Sequence, residues 1–174
     1  MTAEPRRRGA TPALLGGLAV VLAAVALRAV GGRPVAVQSA DMQPALRPGD
    51  VVWVDRSAPE AGDVVAWRPS KGDLHLARVV AGPGAEVEIA AGRVWVDGVA
   101  TGPPTDPRAA PVAPTRVGAG EVFLLGDDPV VASDSRQWGP VERARVEGVA
   151  RRILWAAAQH DGAPDWERVG ERIR

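Results

Sequence analysis

Glu86-Val87-Glu88-Ile89-Ala90 followed by Ala91-Gly92, then Arg93-Val94-Trp95-Val96 followed by Asp97-Gly98, decides the fold class of this chain. Apolar and charged residues alternate with a period of two, the signature of half-buried strands. The two Gly-containing pairs mark turns. Working outward, the pattern recurs: short apolar runs at 35–39, 51–54, 63–67, 74–80, 121–125 and 146–154 are divided by Gly and Pro, as at Arg47-Pro48-Gly49-Asp50 and Gly82-Pro83-Gly84. Many short strands with such punctuation predict a mostly β domain, a partly open barrel or sandwich. Residues 101–120 hold five prolines and little periodicity, and are expected as a long surface loop.

Composition narrows the function. The chain has 174 residues, with 21 Lys and Arg against 21 Asp and Glu, and no basic stripe follows the first ten residues. Nucleic acid is therefore not an expected partner. The absence of cysteine excludes disulfides, thiolate catalysis and Cys-bound zinc. His75 and His160 are far apart with no ligand spacing around them, so neither a metal nor another cofactor is expected.

Upstream of the strands, residues 13–27 carry no charge, and the stretch 13–32 is about long enough for a bilayer core of ~30 Å at 1.5 Å per residue. Arg6, Arg7 and Arg8 precede it and Arg28 lies near its end. The positive-inside rule orients such a segment with its basic tail, residues 1–12, in the cytoplasm and the rest outside the cell membrane. A cleavable signal with Ala24-Val25-Ala26 as the cleavage site, and a buried core helix, are the competing readings. Residues 157–174 form a C-terminal tail. It carries Trp166, Val169 and Ile173 at helical spacing, expected as a short amphipathic helix on the domain or membrane surface, or a frayed end.

Three boxes remain. The first is Ser39-Ala40-Asp41-Met42-Gln43-Pro44-Ala45-Leu46, continuing through Gly49-Asp50. The second is Gly62-Asp63 with Leu76-Ala77-Arg78-Val79-Val80. The third is Gly126-Asp127-Asp128 with Ser133-Asp134-Ser135-Arg136-Gln137-Trp138-Gly139. In this order, behind an apolar N-terminal segment, they resemble the signal peptidase I family, the S26 serine peptidases, over about residues 35–155. The resemblance implies an extracytoplasmic β-domain at 33–156, a membrane-lipid environment, and removal of signal peptides from exported proteins. It also implies a Ser/Lys dyad without cofactor. A serine hydroxyl needs an adjacent base, and lysine serves only where burial lowers its pKa.

Carried over by residue, the resemblance puts the nucleophile position at Asp41 and the general-base position at Ala77. The serine that supports the lysine falls at Ala132, with Ser133 one step away. Ser39 keeps the oxyanion-hole position, and Met42 and Pro44 fall along the substrate groove. Arg78, Asp134 and Arg136 are expected to brace the loops beneath. The departures fall on proton transfer while the turn residues are kept, so the chain reads as a scaffold without its dyad. It would bind signal peptides or other extended segments, or partner an active paralogue. The alternative is an active peptidase rewired through Ser39 and His75, because His75 lies two residues from Ala77 on one face of a strand. Lys71, the single lysine, lies in a solvated turn where it would stay protonated. Asp41 itself is expected as a partly exposed acid beside an arginine.

Overall fold

The computed structural model describes residues 31–69, 72–102, 105–107, 110–158 and 163–173. The expected span at 13–32 lies outside them apart from Gly31 and Gly32, as do Arg6, Arg7, Arg8, Arg28, Lys71 and His160. Among the described residues no helix is long and apolar enough to cross a membrane.

The stretch quoted first forms strands β5 (Glu86–Ala90) and β6 (Arg93–Val96), paired antiparallel with Glu88 opposite Trp95. Ala91 and Gly92 both have positive φ, as do Asp97 and Gly98, the geometry of two-residue turns whose twist matches the flanking strands. The second turn leads to β7 (Val99–Thr101). On the other side of β5 runs β8 (Val112–Arg116), giving a four-stranded sheet in the order β7-β6-β5-β8. Strand β8 corrects the expectation of an unstructured loop over 101–120. It contains Pro114, and an edge strand can hold a proline because one side of its backbone needs no partner.

The larger sheet is antiparallel, in the order β1-β2-β11-β3-β4-β9-β10. Its strands are β1 (Arg33–Ala36), β2 (Val51–Asp55), β3 (Val64–Trp67), β4 (His75–Ala81), β9 (Glu121–Leu125), β10 (Val141–Glu142) and β11 (Val146–Trp155). Strand β3 is apolar throughout because it divides two cores. Val64 and Ala66 pack with Met42, Leu46 and Val52, whereas Val65 and Trp67 pack with Ala77, Val79, Val122 and Leu124. A third core of Val80, Val87, Ile89, Val94, Phe123 and Leu125 joins the two sheets. Register shifts along β11 curl the large sheet. At one of them Gly148 is obligatory, since a Cβ there would collide with the Asp55 carbonyl oxygen.

The described residues 163–173 of the C-terminal segment do not form a helix. Strand β3 pairs only with the 146–149 part of β11, so the backbone beyond needs partners on that side. The tail supplies them. Gly170 N–H donates to Ile153 O at 2.7 Å, Ile173 N–H to Arg151 O at 3.1 Å, and Ile153 N–H to Glu171 O at 3.1 Å. Val169 and Ile173 pack on the Met42–Leu46 core while Trp166 stays exposed. Strand pairing overrides the helical spacing. Asp50 locks the arrangement from a fully buried position. It accepts from Ala157 N–H at 2.8 Å, from Arg47 N–H at 3.0 Å, and from the Arg168 guanidinium at 2.8 Å.

Candidate functional site

Strand β4 sets the register of the site. His75 stands opposite Trp67, Leu76 opposite Ala66, and Ala77 opposite Val65. Strand alternation therefore puts His75 and Ala77 on the face of the Trp67 core. Ala77 is 3% exposed and packs among Val65, Trp67, Val79 and Leu124.

The first box arrives as a loop between β1 and β2. Gly49 N–H donates to Val37 O, and Val37 N–H to Asp50 O, both at 2.8 Å, closing its neck. Leu46 N–H bonds to Met42 O, and both side chains plug the core. Met42, at 1% exposure, thus supports the loop from within instead of lining a groove, since its apolar side chain gains more from the core than from solvent. Pro44, which follows a cis peptide bond, is exposed, and Ser39 is half-buried. Asp41 sits beside His75, with 3.9 Å between Oδ2 and Nδ1, so its basic neighbour there is a histidine instead of the expected arginine.

The third box closes on the same place. Asp128 N–H donates to Asp41 O at 2.9 Å, and Ala132 N–H to Asp128 O at 3.1 Å. A Cβ on Gly126 would collide with that of Ala132 and lie 2.7 Å from Asp41 O, so only glycine permits this approach. Arg78 pairs with Leu125 across β4 and β9, which brings Ala77 to the end of β9 where Gly126 begins. Asp41, Ala77 and Ala132 therefore converge.

Charged residues hold the loops around this centre through hydrogen bonds. Arg78 grips Asp127 with two hydrogen bonds, at 2.7 and 2.6 Å, and a third goes to Gly62 O. Asp134 is 1% exposed. It accepts from Gly126 N–H at 3.0 Å and from two nitrogens of Arg136 at 2.8 Å. Arg136 in turn reaches the carbonyls of Pro129 and Ala132. Asp134 also caps the short helix α1 (Ser135–Trp138) through Arg136 N–H. Ser133 points away to Gln137 at 2.8 Å, so the alanine, and not this serine, faces the centre.

An aromatic row escaped the sequence reading. Trp138 lies on Trp67 with centroids 5.3 Å apart, and Trp67 lies 5.9 Å from the His75 ring. The one available signal was the pairing of residues 67 and 75 in the β3–β4 hairpin. Beyond the row a cleft of about 410 Å³ opens, lined by Trp67, Trp138, Pro69, Pro140, Glu142 and Arg145.

A curled antiparallel sheet on which three sequence boxes meet at one end defines the class, a peptidase-type β-domain. The family model described as signal peptidase, peptidase S26, matches residues 13–155, and the chain belongs to that family. Probable signal peptidase I-1 of Synechocystis is 30% identical over 149 residues, covering 76% of each chain. Probable signal peptidase I-2 of the same organism is 26% identical, over 78% of this chain and 68% of its own. Thylakoidal processing peptidase 1, chloroplastic, of Arabidopsis thaliana is 26% identical over 74% of this chain, but only 43% of its own length is spanned. Among solved structures, signal peptidase I of Enterococcus faecalis aligns with a TM-score of 0.46 and 24% identity, over 55% of this chain and 98% of that one.

Proposed function

We propose that this chain is a non-catalytic member of the signal peptidase I family. Anchored in the cell membrane by residues 13–32 with its N-terminus in the cytoplasm, it binds signal peptides or other extended segments, or partners an active paralogue. The observation that carries this reading is Ala77. The general-base position is a buried methyl group among apolar side chains, and the nucleophile position holds the Asp41 carboxylate. No serine hydroxyl is activated without a base within reach. The braces around the centre are intact, which supports retention of the binding surface. An extended segment can add to a strand edge through main-chain hydrogen bonds alone. The test is cleavage of a preprotein reporter by the purified chain. No cleavage is expected, with reporter binding retained. Cleavage that disappears in Asp41→Ala would refute the proposal.

A second reading draws on the Asp41–His75 contact: Ser39 as nucleophile and His75 as base, with Asp41 orienting the imidazole. It requires cleavage by the unaltered chain and its loss in both His75→Ala and Ser39→Ala. Cleavage undiminished in either variant sinks it.

A further inference from the structure

The bridge that ties the C-terminal segment to β11 joins two arginines, Arg152 and Arg172. Its hydrogen bonds, Ile153 N–H to Glu171 O and Ile173 N–H to Arg151 O, flank the pair instead of joining it. In antiparallel geometry this is the narrow pair, with Cα atoms about 4.5 Å apart and side chains on one face. Like charges so placed repel. The backbone therefore sets two exposed arginines side by side against their electrostatic preference. Among the described residues neither pairs with a carboxylate. Arg152 donates one N–H to Gly170 O at 3.0 Å, which fixes its head and leaves its other donors available.

Both arginines line a cleft of about 630 Å³ with Arg151, Glu60, Asp63 and Ile173. Arg151 is already committed, to Asp63 at 2.9 Å and to Asp55 at 3.3 Å. The guanidinium groups of the cleft without a carboxylate partner among the described residues are those of Arg152 and Arg172, and Glu60 is its carboxylate outside any ion pair there. Two guanidinium forks on one face match a tetrahedral oxyanion, which accepts paired N–H donors and cancels the repulsion.

We propose that the Arg152–Arg172 pair is a binding site for a phosphate-class oxyanion, either free or carried by a phospholipid headgroup. The site is separate from the Asp41–Ala77 centre and independent of whether that centre binds peptides. An anion there would strengthen the clasp between β11 and the tail.

The test uses the full chain in a non-ionic detergent, with inorganic phosphate, dihexanoyl phosphatidylglycerol and dihexanoyl phosphatidylcholine as probes. Calorimetric titration reads affinity and thermal unfolding reads the clasp. Phosphate or phosphatidylglycerol should bind, raise Tm, and bind about tenfold or more weakly in Arg172→Gln, since one charge-assisted hydrogen bond is worth at least a factor of ten. Arg172→Gln should also unfold at a higher Tm than the parent without anion, because the repulsion is gone. A variant that merely lost a structural contact would unfold lower. Binding of phosphatidylglycerol but not of inorganic phosphate or phosphatidylcholine assigns the anion to lipid, and binding of inorganic phosphate assigns it to the free ion. Equal binding in the parent and in both Arg172→Gln and Arg152→Lys, or no binding of any probe by the parent, overturns the proposal.

Discussion

Restoring Asp41→Ser and Ala77→Lys in one chain tests whether the centre is a dry base pocket that has lost only its base. Ala77 is 3% exposed in apolar surroundings, and the serine replacement removes the neighbouring carboxylate that would otherwise pair with the new amine. Burial of that degree lowers a lysine pKa by about 3–5 units from about 10.4, to between about 5.4 and 7.4. The depressed value means the folded chain binds fewer protons than the unfolded chain, so stability rises with pH between the folded pKa and about 10.4. At pH 7 the protonation cost is about 4 kcal/mol, on top of about 1–3 kcal/mol for overpacking. Urea unfolding from pH 6 to pH 10, referred to the Asp41→Ser parent, should show the gap narrowing by about 1.4 kcal/mol per pH unit between pH 8 and pH 10. Adding Ala132→Ser should then yield cleavage of a preprotein reporter near neutral pH. A destabilisation below about 1 kcal/mol that does not vary with pH would mean that position 77 is solvated, and the argument for a retained base pocket would be wrong. The full pH effect without cleavage would mean instead that the substrate surface has changed.

Asp50→Ala should destabilise by about 3–5 kcal/mol, because it strands the Arg168 guanidinium and the amides of Arg47 and Ala157. Hydrogen exchange should show residues 163–173 losing protection before the sheet does; uniform loss would contradict a separately clasped tail. Burial opposes ionisation of Asp55, but hydrogen bonds from Ser57 and the Arg151 guanidinium outweigh it and hold its carboxyl below the ordinary value of 3.8. Its contribution is present above about pH 4 and disappears as pH falls through the folded value. The stability difference between the parent and Asp55→Asn should therefore shrink on acidification below pH 4, and a difference that widens there would contradict the sign.

The β architecture was legible because alternation and turn chemistry are local. The turns at Ala91-Gly92 and Asp97-Gly98 appear where the residues place them. Strand β8 was hidden because Pro114 interrupts the local pattern and its pairing with β5 is a non-local event. The tail at 163–173 was misread for a related reason. Its spacing satisfies a helix, but the unpaired side of β11 offers its backbone hydrogen bonds that no local pattern reveals. Met42 was placed along a groove because motif position carries no information about the direction a side chain takes.

By itself, then, the sequence determined the strand-rich class, the family boxes and the identities Asp41, Ala77 and Ala132 at their chemical positions, since these rest on residue type and short spacing. Only the tertiary structure decided that these three converge, that Asp41 faces His75, and that Arg152 and Arg172 are held side by side. Those relations join residues tens of positions apart in the chain, and their distances are set by sheet register and loop closure, which short-range pattern does not encode.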